Sequence, residues 1–126
     1  GAGASIDQHQ ANPPRPVADG PWHPEEYQNL LHEVYYREIA KYPQIWGVFT
    51  WQFTDSANDN RDEGDTAGRN DKGLVTYDRQ TKKDAYYFYK AQWSSEPLAY
   101  ITSRRWSGEN RSPHSPTSTA SGSTTR

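Results

Sequence analysis

Trp51 closes a short apolar run, Ile45-Trp46-Gly47-Val48-Phe49-Thr50-Trp51, and a polar, acidic stretch begins directly after it. A flat indole at such a junction can hold a ligand by stacking, although packing in a core is the commoner role of tryptophan. Five acids, Asp55, Asp59, Asp62, Glu63 and Asp65, then stand against one base, Arg61. Their density raises the question of a cation. The alternate spacing of Asn58, Asn60 and Asp62 starts like a calcium loop. The sixth position is Glu63 where glycine is needed, however, and the twelfth is Arg69 where glutamate is needed. The stretch reads as a solvated acidic loop, and no metal site is assigned. Of the glutamates suited to acid–base work, Glu25 and Glu26 open a helix, Glu33 lies within it, and Glu63 sits in the acidic loop. None has a partner set by spacing, so no catalytic residue is assigned, and no cofactor either.

The elements that must carry these residues follow from periodicity. The clearest helix spans 24–42. Pro24 suits a helix start, Glu25 and Glu26 favour the positive end of the dipole, and Pro43 prevents continuation. Tyr27, Leu30, Leu31, Val34, Tyr35 and Ile39 share one stripe. His32 and Glu33 are expected to face solvent. The β-branched and aromatic run 45–51 predicts a buried strand, and 52–72 a long loop of the kind that is functional or disordered. Gly73–Tyr77 reads as extended. A second helix is expected over 82–93, burying Ala85, Tyr86, Tyr89 and Trp93, with Lys82, Lys83 and Lys90 in water. Residues 98–102 are again extended. The rhythm of helix, turn and apolar strand is that of an α/β fold.

Composition sets limits on this picture. Apolar residues make up 32% of the 126-residue chain, and they are weighted toward aromatics rather than Leu, Ile and Val. The core of a self-standing domain would be thin, so the chain reads as part of something larger. A net charge of −2 gives no general attraction to nucleic acid or to a membrane surface. No apolar stretch approaches the ~20 residues of a spanning helix. Without cysteine there is no disulfide or thiolate metal site. The opening Gly1–Trp22, with Asn12-Pro13-Pro14-Arg15-Pro16, excludes helix and leaves a loop or a flexible end.

Five strings together carry a resemblance: Gly1-Ala2-Gly3-Ala4-Ser5, Glu25-Glu26-Tyr27-Gln28, Trp46-Gly47-Val48-Phe49-Thr50-Trp51, Asn70-Asp71-Lys72-Gly73-Leu74-Val75-Thr76-Tyr77-Asp78-Arg79 and Lys82-Lys83-Asp84-Ala85-Tyr86-Tyr87-Phe88. Residues 1–106 resemble glycoside hydrolase family 2, the bacterial β-galactosidases most closely. The resemblance implies an α/β fold, the C-terminal portion of a (β/α)8 TIM barrel. Residues 1–97 would hold its last strand and helices, 98–106 a connector toward a β-sandwich domain. Active sites of such barrels lie at the C-terminal ends of the strands, which would bring the Gly1 loop, Trp51 and the 52–72 loop to the catalytic face. The family are retaining glycosidases that use two carboxyls ~5–5.5 Å apart. By the resemblance, the nucleophile would lie two residues before Gly1 and the acid/base further upstream. The chain alone is therefore expected to be inactive. Its expected share is the far wall of the sugar pocket. Trp51 would stack under the sugar ring. Asn70 and Lys72 match an Asn-x-Lys pair that binds the substrate carboxylate in β-glucuronidases, but the same string also occurs in galactosidase-type members and does not settle the substrate. Asp55 would contact a hydroxyl or order the loop.

The implied partner is a β-galactoside bound by a longer, homo-oligomeric parent, with no nucleic acid and no membrane. A β-glucuronide is the alternative substrate, and a non-catalytic carbohydrate-binding module is the alternative class. Gln52, Thr54 and Ser56 depart from the family's usual Trp-Asn-aromatic pattern, which leaves specificity open. His9 is expected to be structural. Ser, Thr, Pro and Gly fill fourteen of the twenty positions from Ser107 to Arg126, too little apolar surface to offset ordering entropy. Residues 107–126 are expected to be a disordered tail. Glu109-Asn110-Arg111-Ser112-Pro113 stands where the family carries a Glu-Pro-Val-Thr-like link, so the tail reads as an out-of-frame product or a Ser/Thr-rich linker.

Overall fold

The computed structural model describes residues 2–106. In chain order these form α1 (Glu25–Ile39), β1 (Ser56–Ala57), β2 (Arg69–Asn70) and α2 (Asp84–Trp93). The chain is a small α/β unit in which the two helices pack side by side. The expected tail lies outside the described residues.

Helix α1 begins where the sequence marks it. Pro24 is the residue before the first turn, and Glu25 and Glu26 lie within it. The chain leaves the helix after Ile39, earlier than residue 42, and turns through Lys41, Tyr42 and Ile45 by backbone bonds to Glu38, Ile39 and Tyr42. The buried side of α1 differs from the apolar stripe. Glu25, Gln28 and His32 are buried, whereas Val34 and Tyr35 are exposed. His32 therefore does not face solvent. The reason lies in what α1 packs against. The amide of Gln28 donates to the carbonyls of Ala2 (2.8 Å) and Gly73 (3.2 Å), and Nδ1 of His32 meets the Tyr89 hydroxyl at 3.0 Å. An irregular segment presents free backbone acceptors, so a polar face is the one that satisfies them.

Residues 2–23 are a packed segment rather than a loose end. Ala2, Ala4, Ser5, His9 and Gln10 are buried. The Ala4 N–H donates to Asp71 O (3.1 Å), and Ser5 N–H to His23 O (2.8 Å). His9 is fully buried as a structural group, set between Glu26 Oε1 (2.8 Å) and Ile6 O (3.0 Å), with its ring stacked on Trp106. Burial alone would lower the His9 pKa, but the Glu26 and Glu25 carboxylates and the Ile6 carbonyl together outweigh it and the net shift is upward.

Residues 52–55 run beside 72–75. Gln52 N–H donates to Lys72 O, Val75 N–H to Phe53 O, and Asp55 N–H to Val75 O. The hairpin of β1 and β2 extends from this seam, with Ser56 opposite Asn70 and Ala57 opposite Arg69. Below it, Leu74, Ala85 and Tyr89 form the apolar core, with Tyr36, Tyr86 and Phe88 packed on its edge. The expected second helix and its Ala85–Tyr89 face are present, although Trp93 is 56% exposed.

The run 45–51 is not a strand among the described residues. Trp46 is 91% and Phe49 93% exposed. A strand exists only with a neighbour, and none of the described segments runs beside 45–50; pairing starts at Gln52. Ile45, Val48, Trp51 and Phe53 are exposed as well, and exposed apolar area on this scale drives association. The isolated chain is expected to bind a hydrophobic dye, to aggregate, and to melt over a broad range. The double variant Trp46→Ser/Phe49→Ser is expected to reduce dye binding and raise solubility. A sharp two-state melt of the unmodified chain at high concentration would contradict this.

Candidate functional site

Trp51 stands at the mouth of a cavity of about 330 Å³ whose walls include Leu31, His32, Tyr35, Val48 and Tyr89. Its ring is 63% exposed, and the Trp51–Gln52 peptide bond is cis. The Gln52–Lys72 backbone bond (3.2 Å) brings this tryptophan next to the Asn70-Asp71-Lys72 turn. Asn70 closes β2, and its Oδ1 accepts the Lys72 N–H at 3.2 Å. Among the described residues, neither the Asn70 amide nitrogen nor the Lys72 ammonium has a hydrogen-bond or ion-pair partner. Lys72 thus lies beside the Trp51–Gln52 junction, whereas Asn70 is buried and pairs with Ser56.

Asp55 does not join them. It is buried, and its Oδ1 accepts the Gly73 N–H (2.8 Å) and the Lys83 ammonium (2.8 Å). It lines a different cavity, of about 260 Å³, together with Ser5, Asp65, Asp71 and Lys83. Burial raises the Asp55 pKa, against the opposing pull of Lys83 and of the Gly73 N–H. Here Asp55 orders the loop.

Lys83, expected in water, is the largest side chain that is fully buried. Its ammonium donates three hydrogen bonds, to Ala4 O (2.7 Å), Asp55 Oδ1 (2.8 Å) and Asp71 O (2.8 Å). The cost of desolvating an ammonium is offset by this complete set of acceptors. Asp71 is held further by His23 Nδ1 at 2.6 Å from its Oδ2. Glycine is required around it. A Cβ on Gly3 or Gly64 would approach Asp71 and His23 more closely than side chains pack. Nothing in the helical period distinguishes Lys83 from Lys82 or Lys90, because its partners come from three other segments.

A second buried cluster joins the helix starts to residues 98–106. Glu25 is fully buried, and its Oε1 accepts the Asp84 N–H (2.6 Å), one of the unpaired donors that open α2. Arg105 bonds the same oxygen, while Asp84 accepts from the Tyr100 hydroxyl (3.0 Å) and the Ser103 N–H (2.6 Å). Burial, with the neighbouring Asp84 carboxylate, pushes the Glu25 pKa up to about 7.

In the acidic loop Ser5 bonds Asp65, Arg61 pairs with Glu63, and Asn58 Oδ1 accepts the Asn60 N–H. Among the described residues, no three His, Cys, Asp or Glu side chains are grouped to hold a metal ion.

This unit, with its exposed tryptophan and free Asn-x-Lys donors, is homologous to a segment of glycosidases. The chain is 48% identical over 106 residues to a beta-glucuronidase of Bacteroides fragilis, covering 83% of this chain and 15% of the relative. In structure it is similar to an FMN-binding beta-glucuronidase from Facaelibacterium prausnitzii L2-6, at a TM-score of 0.70 and 38% identity over 82% of this chain and 15% of the other. It is also similar to a candidate beta-galactosidase from Bacteroides fragilis, at a TM-score of 0.75 and 39% identity over 83% and 16%. The chain therefore spans about 15% of the length of the relatives it matches. No family model matches the sequence.

Proposed function

We propose that the chain is the C-terminal part of a (β/α)8 barrel in a family 2 retaining glycosidase, and that it supplies the sugar-carboxylate side of a β-glucuronide pocket. The observation that carries the reading is the pair of unengaged donors, Asn70 Nδ2 and Lys72 Nζ, on a turn bonded through its backbone to the Trp51–Gln52 junction. An ammonium and an amide donor suit a carboxylate, and an exposed indole beside them suits a sugar face. The 48% identity to a beta-glucuronidase supports the same substrate. In this reading 45–51 is the last barrel strand, and its exposed Trp46 and Phe49 pack against the rest of the parent. Both catalytic glutamates also come from the rest of the parent, so the 126-residue chain alone releases no sugar.

A β-galactoside is the second reading, favoured by the TM-score of 0.75 to the candidate beta-galactosidase. A galactoside has no carboxylate for Lys72 to meet, and this difference separates the two. The test is a full-length chimera in which residues 2–106 replace their counterpart in the Bacteroides fragilis beta-glucuronidase. It is expected to prefer p-nitrophenyl β-glucuronide. Lys72→Ala is expected to lower kcat/KM on that substrate by roughly 10- to 100-fold, the loss of a charge-assisted hydrogen bond, and to leave galactoside turnover unchanged. Preference for the galactoside, with no effect of Lys72→Ala, would sink the glucuronide reading.

A further inference from the structure

The backbone of residues 70–74 is held at every position. Asn70 pairs with Ser56. The Asp71 carbonyl accepts both the Ala4 N–H (3.1 Å) and the Lys83 ammonium (2.8 Å). The Lys72 carbonyl accepts from Gln52, the Gly73 N–H donates to Asp55, and the Leu74 N–H donates to Gln52 and Phe53. The Asp71 side chain is turned inward to His23 and is 3% exposed. Within this stretch the Asn70 Oδ1 accepts the Lys72 N–H (3.2 Å), while the Asn70 amide nitrogen and the Lys72 ammonium are left without a partner among the described residues. At the centre of this arrangement stands the Lys83 ammonium, which meets three segments at once: Ala4 of the opening segment, Asp55 four residues past Trp51, and Asp71 between Asn70 and Lys72. Lys83 is itself fixed, because it caps α2 and its own N–H donates to Leu74 O (2.9 Å).

We propose that Lys83 is a positioning residue for the Asn70–Lys72 donor pair, locking the turn that carries them to the segment that carries Trp51. The inference rests on the carboxylate-binding reading of that pair. Stability alone does not call for a buried ammonium here, since buried ion pairs are often matched or bettered by apolar replacements of similar size. What an ammonium adds is direction. Its three donors diverge tetrahedrally, so three acceptors on separate segments are held at set angles, which a methyl group cannot do. An offset of about 1 Å in a binding group is enough to weaken a preorganised contact substantially. Lys83 reaches neither Trp51 nor the cavity beside it, and it acts through Asp71 and Asp55.

The test uses the same full-length chimera. Lys83→Met keeps the stem and removes the donors. Asp55→Asn, which keeps the shape and weakens the same tie, is the milder variant should Lys83→Met fail to fold. The expected result is a KM for p-nitrophenyl β-glucuronide raised about tenfold by Lys83→Met, less by Asp55→Asn, with kcat and galactoside turnover changed far less. A residue that works through Lys72 has nothing left to position once Lys72 is removed. In a Lys72→Ala background the effect of Lys83→Met on KM is therefore expected to vanish, a non-additivity that general destabilisation would not produce. Hydrogen exchange of the Asp71–Leu74 amides is expected to rise in step. Full additivity with Lys72→Ala, or unchanged exchange in these amides, overturns the proposal while leaving the carboxylate reading standing. If Lys72→Ala alone is silent, the carboxylate reading fails and the proposal falls with it.

Discussion

Gly73→Ala is expected to cost roughly 3 kcal/mol or more, the upper end for forcing extra volume into a packed interior. A Cβ at residue 73 would lie closer than 3.0 Å to the Asp55 nitrogen and the Thr54 carbonyl carbon, both backbone atoms, and to Asp55 Oδ1. A flexible side chain can swing aside, but backbone on both sides cannot. Segments 72–75 and 52–55 would have to part. That would break the Gln52–Lys72 and Asp55–Val75 bonds, and with them the Asp55 carboxylate's grip on Gly73 and Lys83. The measurement is the urea midpoint of the full-length chimera with and without the substitution. An unchanged midpoint would refute the close approach at Gly73.

The second large effect is on the pH dependence of stability, where two buried groups act with opposite sign. Glu25 loses its proton near 4.5 in the unfolded chain and only near 7 in the folded one. The folded state binds more protons in that window, so the Glu25 contribution is fully present below pH 4.5 and is lost as pH rises through about 7. His32, desolvated against Tyr89, takes up its proton near 6.5 in the unfolded chain and near 4 in the folded one. Its contribution is present above pH 6.5 and is lost as pH falls toward 4. Each slope is about 1.4 kcal/mol per pH unit at most. Between pH 4.5 and 6.5 they oppose one another, so the unmodified chain is expected to show a shallow profile there. Glu25→Gln removes the first slope, and stability should then fall on acidification. His32→Asn removes the second, and stability should then rise on acidification. Melting midpoints across this range read both, and parallel profiles for all three proteins would contradict the assignment. Because Glu25 also bonds Arg105 and the Asp84 N–H, Glu25→Gln is expected to loosen residues 98–106 from the helix starts, visible as faster exchange of the Ser103 amide.

Helix α1 and helix α2 were legible because each announces itself locally, with Pro24 and two glutamates opening the first and an apolar face at helical spacing marking the second. The long acidic loop and the thin core were legible from composition, whereas the Asn70–Phe88 string stood out only through the resemblance. The assignment of Trp51, Asn70 and Lys72 to one sugar pocket came from the resemblance; the seam between 52–55 and 72–75 brings the Lys72 backbone beside the Trp51–Gln52 junction. The strand expected over 45–51 was a sound reading of its residues, yet a ladder belongs to two segments, and none of those described pairs with it.

Burial of charge was beyond reach of the sequence. Lys82, Lys83 and Lys90 share one helix region and one side-chain type, but only Lys83 is enclosed. Its acceptors lie 79, 28 and 12 residues away, on Ala4, Asp55 and Asp71. The same holds for Glu25, whose partners Asp84 and Arg105 stand 59 and 80 residues on, and for His32 against Tyr89 at 57. Periodicity reports which face of a helix is apolar, a property of one segment. Whether a polar group can leave water depends on how many acceptors and donors converge on it from elsewhere. The sequence by itself determined the helices and the aromatic run. Only the tertiary structure decided which charges are enclosed and which side chains stay open to a ligand, because those facts arise from contacts between segments far apart in the chain.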